Sequence, residues 1–147
     1  MAYSGKFNPT NPAKYKGDLG TIVWRSLLEL RFMKYLDGHP SVLAWQSEET
    51  VIPYISPIDN RAHRYFVDFC ATLKTKTGEK TCLIEIKPAK QCEPPTKPKR
   101  KTVKATNRYI REAATYVVNQ AKWNQAKRVC AVQGWEFVVI TDKQLRF

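Results

Sequence analysis

A capping motif and apolar residues at helical spacing predict a first helix that starts at Ser26. The segment Ser26-Leu27-Leu28-Glu29 has the form of a capping box, in which Ser26 caps the first turn and Glu29 reaches back to it. Gly38 followed by Pro40 predicts that the helix ends near Asp37. The apolar residues that recur along it are Leu28, Phe32, Tyr35 and Leu36.

A second helical region is predicted over residues 105–131. Gly134 fits a helix stop, and a break is expected near Asn119. The apolar stripe of this helix consists of Ile110, Ala113, Ala114, Val117 and Ala121.

Strands are predicted over residues 50–54, 64–73, 80–87 and 135–140. Residues 76–79 have the composition of a tight turn, so the second and third strands should form a hairpin. The last strand is strongly apolar and is expected to be buried. Together, helices and strands predict an α/β or α+β fold, with helices on both faces of a mixed sheet.

The chain has 147 residues, the length of one domain. Residues 1–20 are expected to form an extended arm, because Asn8-Pro9 and Asn11-Pro12 disfavour helix before each proline. Residues 21–147 are expected to form one folded domain, in which residues 92–104 are a solvated, basic, proline-rich loop. No apolar run of about 18 residues indicates a membrane span, and the polar start lacks the apolar segment of a signal peptide.

The distribution of charge favours nucleic acid as the partner. The formal net charge is +12, of which residues 1–85 contribute +2 and residues 86–147 contribute +10. Such a local excess attracts polyanions. An anionic membrane surface is the weaker alternative, because no strongly amphipathic basic helix is visible.

The cysteines predict buried thiols in a reducing cytoplasm. They show no CxxC spacing, and with only two histidines besides they form no recognisable zinc-ligand pattern. A disulfide scaffold is not expected. The four residues are Cys70, Cys82, Cys92 and Cys130.

Three polar residues on neighbouring predicted strands suggest phosphodiester chemistry. In the third strand, alternation places Glu85 and Lys87 on one face. If the hairpin turns between Thr77 and Gly78, Asp68 lies across from Lys87 and diagonal to Glu85. Two carboxylates would hold one or two Mg²⁺ ions, which lower the pKa of bound water, and a lysine would stabilise charge on the phosphate.

Each of these residues also has an ordinary explanation. Glu and Lys two positions apart are common on surface strands. Glu29, which would add a third carboxylate, has a sufficient role in the capping box. Asp68, expected on the face opposite Val67 and Phe69, could simply meet solvent.

The order of these motifs resembles the PD-(D/E)XK nuclease core of TnsA-type transposon-end endonucleases. The sequence around these motifs, over residues 15–141, resembles the head-completion nucleases of T-even-like tailed phages even more closely. The signature has a proline before the aspartate, where this chain has Val67, a position that shapes the loop more than the chemistry. The core motifs are Ser26-x-x-Glu29, Val67-Asp68-Phe69 and Ile84-Glu85-Ile86-Lys87-Pro88. The segments that carry the wider resemblance are residues 22–26, 45–49, 52–57, 63–69, 119–123 and 135–141.

This resemblance implies a metal-dependent DNA endonuclease with a PD-(D/E)XK fold that uses Mg²⁺, with Mn²⁺ as a substitute. By it, Asp68 and Glu85 bind metal, Lys87 is catalytic, and Glu29 is an accessory acid and further metal ligand. Gln91, just past the third strand, is an additional active-site candidate.

Basic residues near this site are the expected DNA contacts, because they lie beside an active-site strand and largely in the basic half. Arg64 has an equal alternative as a plain surface residue, and the loop could be solvated without a partner. No base-reading motif is visible, so little sequence specificity is expected. The candidate residues are Arg64, Lys90, Lys97, Lys99, Arg100, Lys101 and Lys104.

The leading hypothesis is a DNA endonuclease acting in phage head completion or DNA end processing. Its expected partners are DNA and phage portal or head proteins, with no small-molecule substrate, in the host cytoplasm during assembly or in the virion. One alternative is a structural head-completion protein that binds DNA or portal and leaves its nuclease fold unused. A transposition nuclease is a third hypothesis, although the chain leaves little room for a partner-binding domain.

Overall fold

The computed structural model describes residues 4–145. Two α-helices lie in this range, α1 (Leu27–Gly38) and α2 (Val103–Gln133), and neither is long and apolar enough to cross a membrane. Single-turn 3₁₀ helices cover Pro12–Lys14, Leu19–Thr21 and Ala89–Cys92. The strands are β1 (Gly5–Lys6), β2 (Val23–Trp24), β3 (Val42–Ser47), β4 (Val51–Ile55), β5 (Ala62–Phe66), β6 (Phe69–Thr75), β7 (Gly78–Ile86) and β8 (Glu136–Ile140).

A four-stranded mixed sheet in the order β3-β6-β7-β8 forms the centre of the fold. β3, β6 and β7 are antiparallel neighbours, and β8 pairs parallel with β7. Parallel neighbours need a long crossover connection, which here contains α2. Two short ribbons complete the strands, one of β1 with β2 and one of β4 with β5. The mixed sheet with helices confirms the expected fold class.

The sheet separates two apolar cores. One face carries α1, whose Phe32 packs in a cluster with Ile84 of β7. The other face carries α2 and the β4–β5 ribbon, where Trp123 packs in a cluster with Leu83. Successive strand residues point to opposite faces, so Glu85 lies on the α2 side with Leu83.

Local signals predict the helix ends correctly. Ser26 caps α1, and its Oγ accepts a 3.1 Å hydrogen bond from the backbone N–H of Glu29. Gly134 ends α2 in the left-handed region, with φ of 76°, which glycine adopts without a Cβ penalty. The predicted break near Asn119 is wrong, and α2 is continuous. Asn119 is buried in the turn before Trp123, and packing of that face outweighs its weak helix propensity.

The single strand predicted over residues 64–73 is wrong, because the structure divides it into β5 and β6. β5 pairs with β4 and β6 pairs with β3, so these four strands form one long hairpin that changes sheet midway. β3 has no counterpart among the predicted strands. The strands predicted over residues 50–54 and 80–87 are confirmed as β4 and β7, with bounds that differ by one or two residues.

A β-bulge lies where the hairpin changes sheet. Three residues, 48–50, connect β3 to β4, whereas only two, 67 and 68, connect β5 to β6. Glu48 adopts a left-handed φ of 54° there and donates its N–H to the carbonyl of Asp68 at 3.1 Å. On the opposite side of the bend, Val67 donates to Thr50 at 3.0 Å. Val67 therefore joins the core under α2, whereas Phe69 joins the core under α1. The expected common face of Val67 and Phe69 is wrong, and Asp68 lies at the bend.

The β6–β7 hairpin closes on Lys76 and Thr77, which is earlier than predicted. Each pairing is shifted as a result. Continuing the observed register places Asp68 across from Glu85, not across from Lys87. The two carboxylates therefore converge as expected, but Asp68 and Glu85 are directly opposite each other on neighbouring strands and not diagonal neighbours.

The segment before α1 packs on the sheet. Phe7 and Tyr15 are buried, with ring centroids 5.8 and 4.7 Å from that of Trp45. The carboxylate of Asp37 accepts the backbone N–H groups of Thr10 and Asn11, which ties the expected arm to the end of α1. Because the arm supplies core side chains, its sequence is constrained by packing.

The strand predicted over residues 135–140 is confirmed as β8, but its expected burial is wrong. β8 is an edge strand, and its apolar residues remain partly exposed. The cysteines are free thiols, as expected; Cys82 and Cys130 are buried, whereas Cys70 and Cys92 are partly exposed.

Candidate active site

Asp68 lies at the bulge, beside the end of β7. Its Oδ2 accepts a 2.9 Å hydrogen bond from the backbone N–H of Ile86. Burial, and then the nearby carboxylate of Glu85, raise the pKa of Asp68 to about 7. Two carboxylates that share a poorly solvated place disfavour each other's charge. A cation bound at this position would relieve that repulsion.

Glu85 is the second member of this pair and is only 5% exposed. Its Oε2 accepts a 2.6 Å hydrogen bond from the hydroxyl of Tyr65. Burial raises the pKa of Glu85, while the Tyr65 hydrogen bond and the positive charges of Lys87 and Lys122 act in the opposite direction. The phenol therefore fixes one carboxylate oxygen and favours the ionised form.

Two lysines approach the pair from different elements. Lys87 follows β7, and its Nζ lies 3.8 Å from Oε1 of Glu85. Lys122 belongs to α2, and its Nζ lies 5.5 Å from the ring centroid of Tyr65 and 5.9 Å from that of Tyr54. An ammonium over an aromatic face is attracted by the ring, so Tyr65 contributes to placing Lys122 near Glu85.

Further acidic residues lie beside Asp68. The pKa of Glu29, in the first turn of α1, is raised to about 7 by burial and by the charges of Asp68 and Glu48. Glu48 is held by Arg25 through two hydrogen bonds of 3.1 and 3.0 Å. Within residues 4–145, no three His, Cys, Asp or Glu side chains form a group that could hold a metal ion. The structure thus brings Asp68 and Glu85 together. Glu29 is close enough for the charge of Asp68 to affect its pKa, but it does not join the pair as a third metal ligand.

The chemistry of the Asp68–Glu85 pair fits a hydrated divalent cation. Mg²⁺ takes oxygen ligands, keeps several waters and is commonly bound through one or two carboxylates. Both carboxyl groups have raised pKa values because they are poorly solvated. Perturbed titratable groups of this kind concentrate at functional sites.

Arg64 lies away from the carboxylate pair. It is exposed on the outer face of the β4–β5 ribbon, with its guanidinium 5.6 Å from the ring centroid of Phe66. Its neighbour Tyr65 points the other way, toward Glu85. The alternation of the strand therefore separates Arg64 from the site that Tyr65 joins.

The other expected DNA contacts lie beyond β7. Lys90 and Gln91 are exposed in the 3₁₀ helix that follows Pro88, and both line a cavity beside α2. The basic loop runs along the start of α2 and presents its charges to solvent. Its exposed basic residues are Lys97, Lys99, Arg100 and Lys101, whereas Lys104, expected in the loop, lies exposed in the first turn of α2.

The sequence does not reveal Tyr65, Lys122, Glu48 or Arg25 as parts of this site. Tyr65 has one weak signal: it faces inward in an alternating strand, where a buried phenol needs a hydrogen-bond partner. Lys122 and Glu48 reach the site only through the packing of α2 and through the bulge. Neither contact has a local sequence signature.

A mixed sheet that sets an aspartate at a strand bend opposite Glu-x-Lys at the end of the next strand defines a nuclease core of the PD-(D/E)XK kind. Comparison with known proteins agrees with this class. The family model described as TnsA-like endonuclease N terminal matches residues 39–142. A curated relative, the head completion nuclease of Enterobacteria phage T4, is 40% identical over 146 residues, covering 99% of this chain and 95% of that protein.

The chain belongs to the TnsA-like endonuclease family and is a DNA endonuclease. Asp68, Glu85, Lys87 and Gln91 lie inside the matched range, and Glu29 precedes it. The relative extends over α1 as well, since it covers nearly the whole chain.

Proposed function

We propose that this endonuclease hydrolyses DNA phosphodiester bonds with Mg²⁺ held by Asp68 and Glu85. The observation that carries the proposal is the opposed carboxylate pair with Lys87 beside it, its Nζ 3.8 Å from Glu85. When bound, Mg²⁺ would neutralise charge on the scissile phosphate and lower the pKa of bound water. Mn²⁺, which takes similar ligands, is the expected substitute.

The side chains around the pair have distinct roles in this proposal. Tyr65 fixes the orientation of Glu85 through its 2.6 Å hydrogen bond. Lys87 donates to a phosphate oxygen and stabilises the charge that develops there. Glu29, whose pKa is raised to about 7, can accept or return a proton near the site. Gln91 is an accessory contact to the phosphate next to the cleaved bond.

The proposed biological role is completion of the head of a tailed phage. It is supported by the name of the T4 relative and by its coverage of nearly the whole chain. In this role the protein would trim or modify a DNA end after packaging, in the host cytoplasm, and would dock on a portal or head protein. The net charge of +12 suits a protein that works on packaged DNA.

A plasmid assay tests the catalytic part of this proposal. Purified protein should nick or linearise plasmid with Mg²⁺ or Mn²⁺ and leave it intact with EDTA. Asp68→Asn should be inactive under all three conditions while it still folds cooperatively and binds DNA. Binding of DNA with no cleavage by the parent in either metal would instead favour a structural head-completion protein with an unused nuclease fold.

A further inference from the structure

A groove runs between the basic loop and the first half of α2. It consists of two adjoining cavities of about 490 and 410 Å³. Lys90, Thr96, Arg108 and Glu112 line both cavities, so the two are continuous. We refer to this feature as the loop–helix groove.

Positive charge dominates the lining of the groove, with two acidic residues, Glu93 and Glu112, among it. Glu112 is engaged by Arg108 at 2.9 Å, whereas Arg111 makes no ion pair in the described part of the chain. Arg111 is therefore available for an anionic ligand. The basic lining residues are Lys90, Arg100, Lys104, Arg108 and Arg111.

Asn119 closes the inner end of the groove. It is only 6% exposed, it lines the larger cavity, and its side chain forms no hydrogen bond among residues 4–145. The Asn119 amide keeps some exposure to the cavity, because the fully buried side-chain polar atoms without a partner in the described residues are Nε1 of Trp45 and Nε1 of Trp123. Its two donors and one acceptor therefore suit a ligand with a polar edge, such as a nucleobase.

The groove is lined by α2 and by the segment after β7, and these two parts of the chain also carry Lys122 and Lys87. Asn119 precedes Lys122 and Trp123 by one helical turn, and Lys122 lies over the ring of Tyr65, which bonds Glu85. On the other wall, Lys90 and Gln91 follow Lys87 by only a few residues. A DNA strand that leaves the site along α2 would enter the groove.

We propose that the loop–helix groove binds an unpaired nucleotide of the DNA strand next to the scissile phosphate. The proposal rests on the proposed nuclease function and specifies its substrate as DNA with a single-stranded end. A cavity of about 490 Å³ falls within the range of small-ligand pockets, roughly 300–1,000 Å³, and suits one or two nucleotides but not a duplex. Tyr116 and Pro95 supply apolar surface on which a base can stack, Asn119 meets its polar edge, and Arg111 meets the phosphate.

Binding in EDTA tests the groove separately from catalysis. The probes are a blunt duplex and the same duplex with a short oligothymidine tail, in either polarity, measured by fluorescence anisotropy. Base stacking on an aromatic side chain predicts that the parent binds one tailed duplex about 5- to 100-fold more tightly than the blunt one. Tyr116→Ala, Asn119→Ala and Arg111→Ala should each reduce that ratio toward one.

Matched controls come from the same helix, outside the groove. Asn124→Ala and Arg128→Ala remove an exposed amide and an exposed guanidinium and should keep the parent's ratio. Equal weakening of the affinity for blunt and tailed DNA in the groove variants would overturn the proposal, since it would indicate contact with duplex backbone. Parental ratios in all three groove variants would overturn it as well.

Cleavage of plasmid by the parent in Mg²⁺ distinguishes the two proposals. A parent that cleaves, with groove variants that keep the tail preference, leaves the nuclease function standing and rejects the groove. A parent that fails to cleave, with groove variants that lose the tail preference, supports the groove and rejects the nuclease function. Thermal melting of each variant confirms that it is folded.

Discussion

Tyr65 donates its hydroxyl to Oε2 of Glu85 at 2.6 Å, although the two residues are 20 positions apart and belong to different sheets. Burial, followed by the charge of Glu85, raises the pKa of Tyr65, so the phenol remains a donor at neutral pH. The hydrogen bond ties the β4–β5 ribbon to the end of β7 that carries Glu85. Tyr65 is therefore a positioning residue for the proposed metal site.

Tyr65→Phe should raise the Mg²⁺ concentration needed for half-maximal cleavage by about 10- to 100-fold, the usual cost of losing an outer-shell partner. The ring is retained, so the fold and the contact with Lys122 should persist. Tyr54→Phe is the matched control, because Tyr54 also lies beneath Lys122 and has no hydrogen bond to Glu85. A Mg²⁺ titration of plasmid cleavage measures the effect. An unchanged Mg²⁺ requirement in Tyr65→Phe would assign the phenol to packing alone.

Asp68→Asn and Glu85→Gln should each reduce cleavage by about 10²-fold or more, because each replaces a proposed metal ligand by a neutral amide of the same shape. DNA affinity in EDTA should stay the same or increase, since one negative charge near the phosphates is removed. Initial cleavage rates and anisotropy on the same preparations provide both values. Asp59→Asn, on the exposed β4–β5 turn, is the control and should cleave as the parent does.

Lys87→Ala should lower turnover at saturating DNA by about 10²–10³-fold with little change of affinity, as expected for a donor that acts on developing charge. Single-turnover rates across a DNA titration separate the two quantities. Lower affinity with parental turnover would make Lys87 an ordinary phosphate contact. Lys90→Ala, three residues further on and exposed, is the comparison for a contact that affects binding.

Stability in the absence of metal should fall as pH rises from about 4 to 7. The pKa of Asp68 is raised to about 7 by burial and by Glu85, so the folded state binds this proton more tightly than the unfolded state does. Ionisation therefore costs stability, by up to about 4 kcal/mol above pH 7 and by little below pH 4. In EDTA, Asp68→Asn should melt at a higher temperature than the parent at about pH 8, and the gap should close toward pH 4.

Mg²⁺ provides the control for this stability difference. At about pH 8 it should raise the melting temperature of the parent, because a ligand that binds only the folded state stabilises it. It should leave Asp68→Asn nearly unchanged. If the parent has the same melting temperature in EDTA as in Mg²⁺, this result would contradict a metal site at Asp68.

The basic loop should control the salt dependence of DNA binding without changing catalysis. Combined replacement of Lys97, Lys99, Arg100 and Lys101 by alanine should flatten the log-affinity against log-salt slope by about 0.9 for each phosphate that the loop no longer neutralises. Turnover on saturating DNA should stay within a few-fold of the parent. Alanine at Lys34 and Lys74, which are exposed on other elements, is the control. A parental slope in the fourfold variant would reassign the loop to docking on an acidic protein surface.

Local patterns in the sequence predict the parts of this fold that local forces determine. The cap at Ser26 and the stop at Gly134 depend on a few adjacent residues, and both predictions are confirmed. The alternation in β7 correctly places Ile84 in the core under α1 and Glu85 on the other face. Each of these features follows from backbone geometry over a few residues.

Long-range pairing accounts for the features that the sequence does not predict. The division of residues 64–73 depends on which partner each half pairs with, β4 or β3. The Asp68–Glu85 opposition depends on where the β6–β7 turn closes, and one residue of difference changes the pairing. Lys122 joins the site because α2 continues without a break through Asn119. A short stretch of sequence does not specify which distant strand or helix each of these residues will meet.

The bulge at Glu48 makes the site sensitive to the number of residues as well as to their identity. Deleting one of residues 48–50 would make both sides of the bend equal in length, and an uninterrupted hairpin would then turn Val67 and Phe69 toward the same layer of the protein. Asp68 would rotate out of line with Glu85, although every side chain of the proposed active site would still be present. Insertions and deletions in this short connection should therefore be excluded among active relatives, while substitutions that preserve its length are tolerated. A constant number of residues at positions 48–50 should therefore mark active relatives, and a search for conserved residue types alone would not detect it.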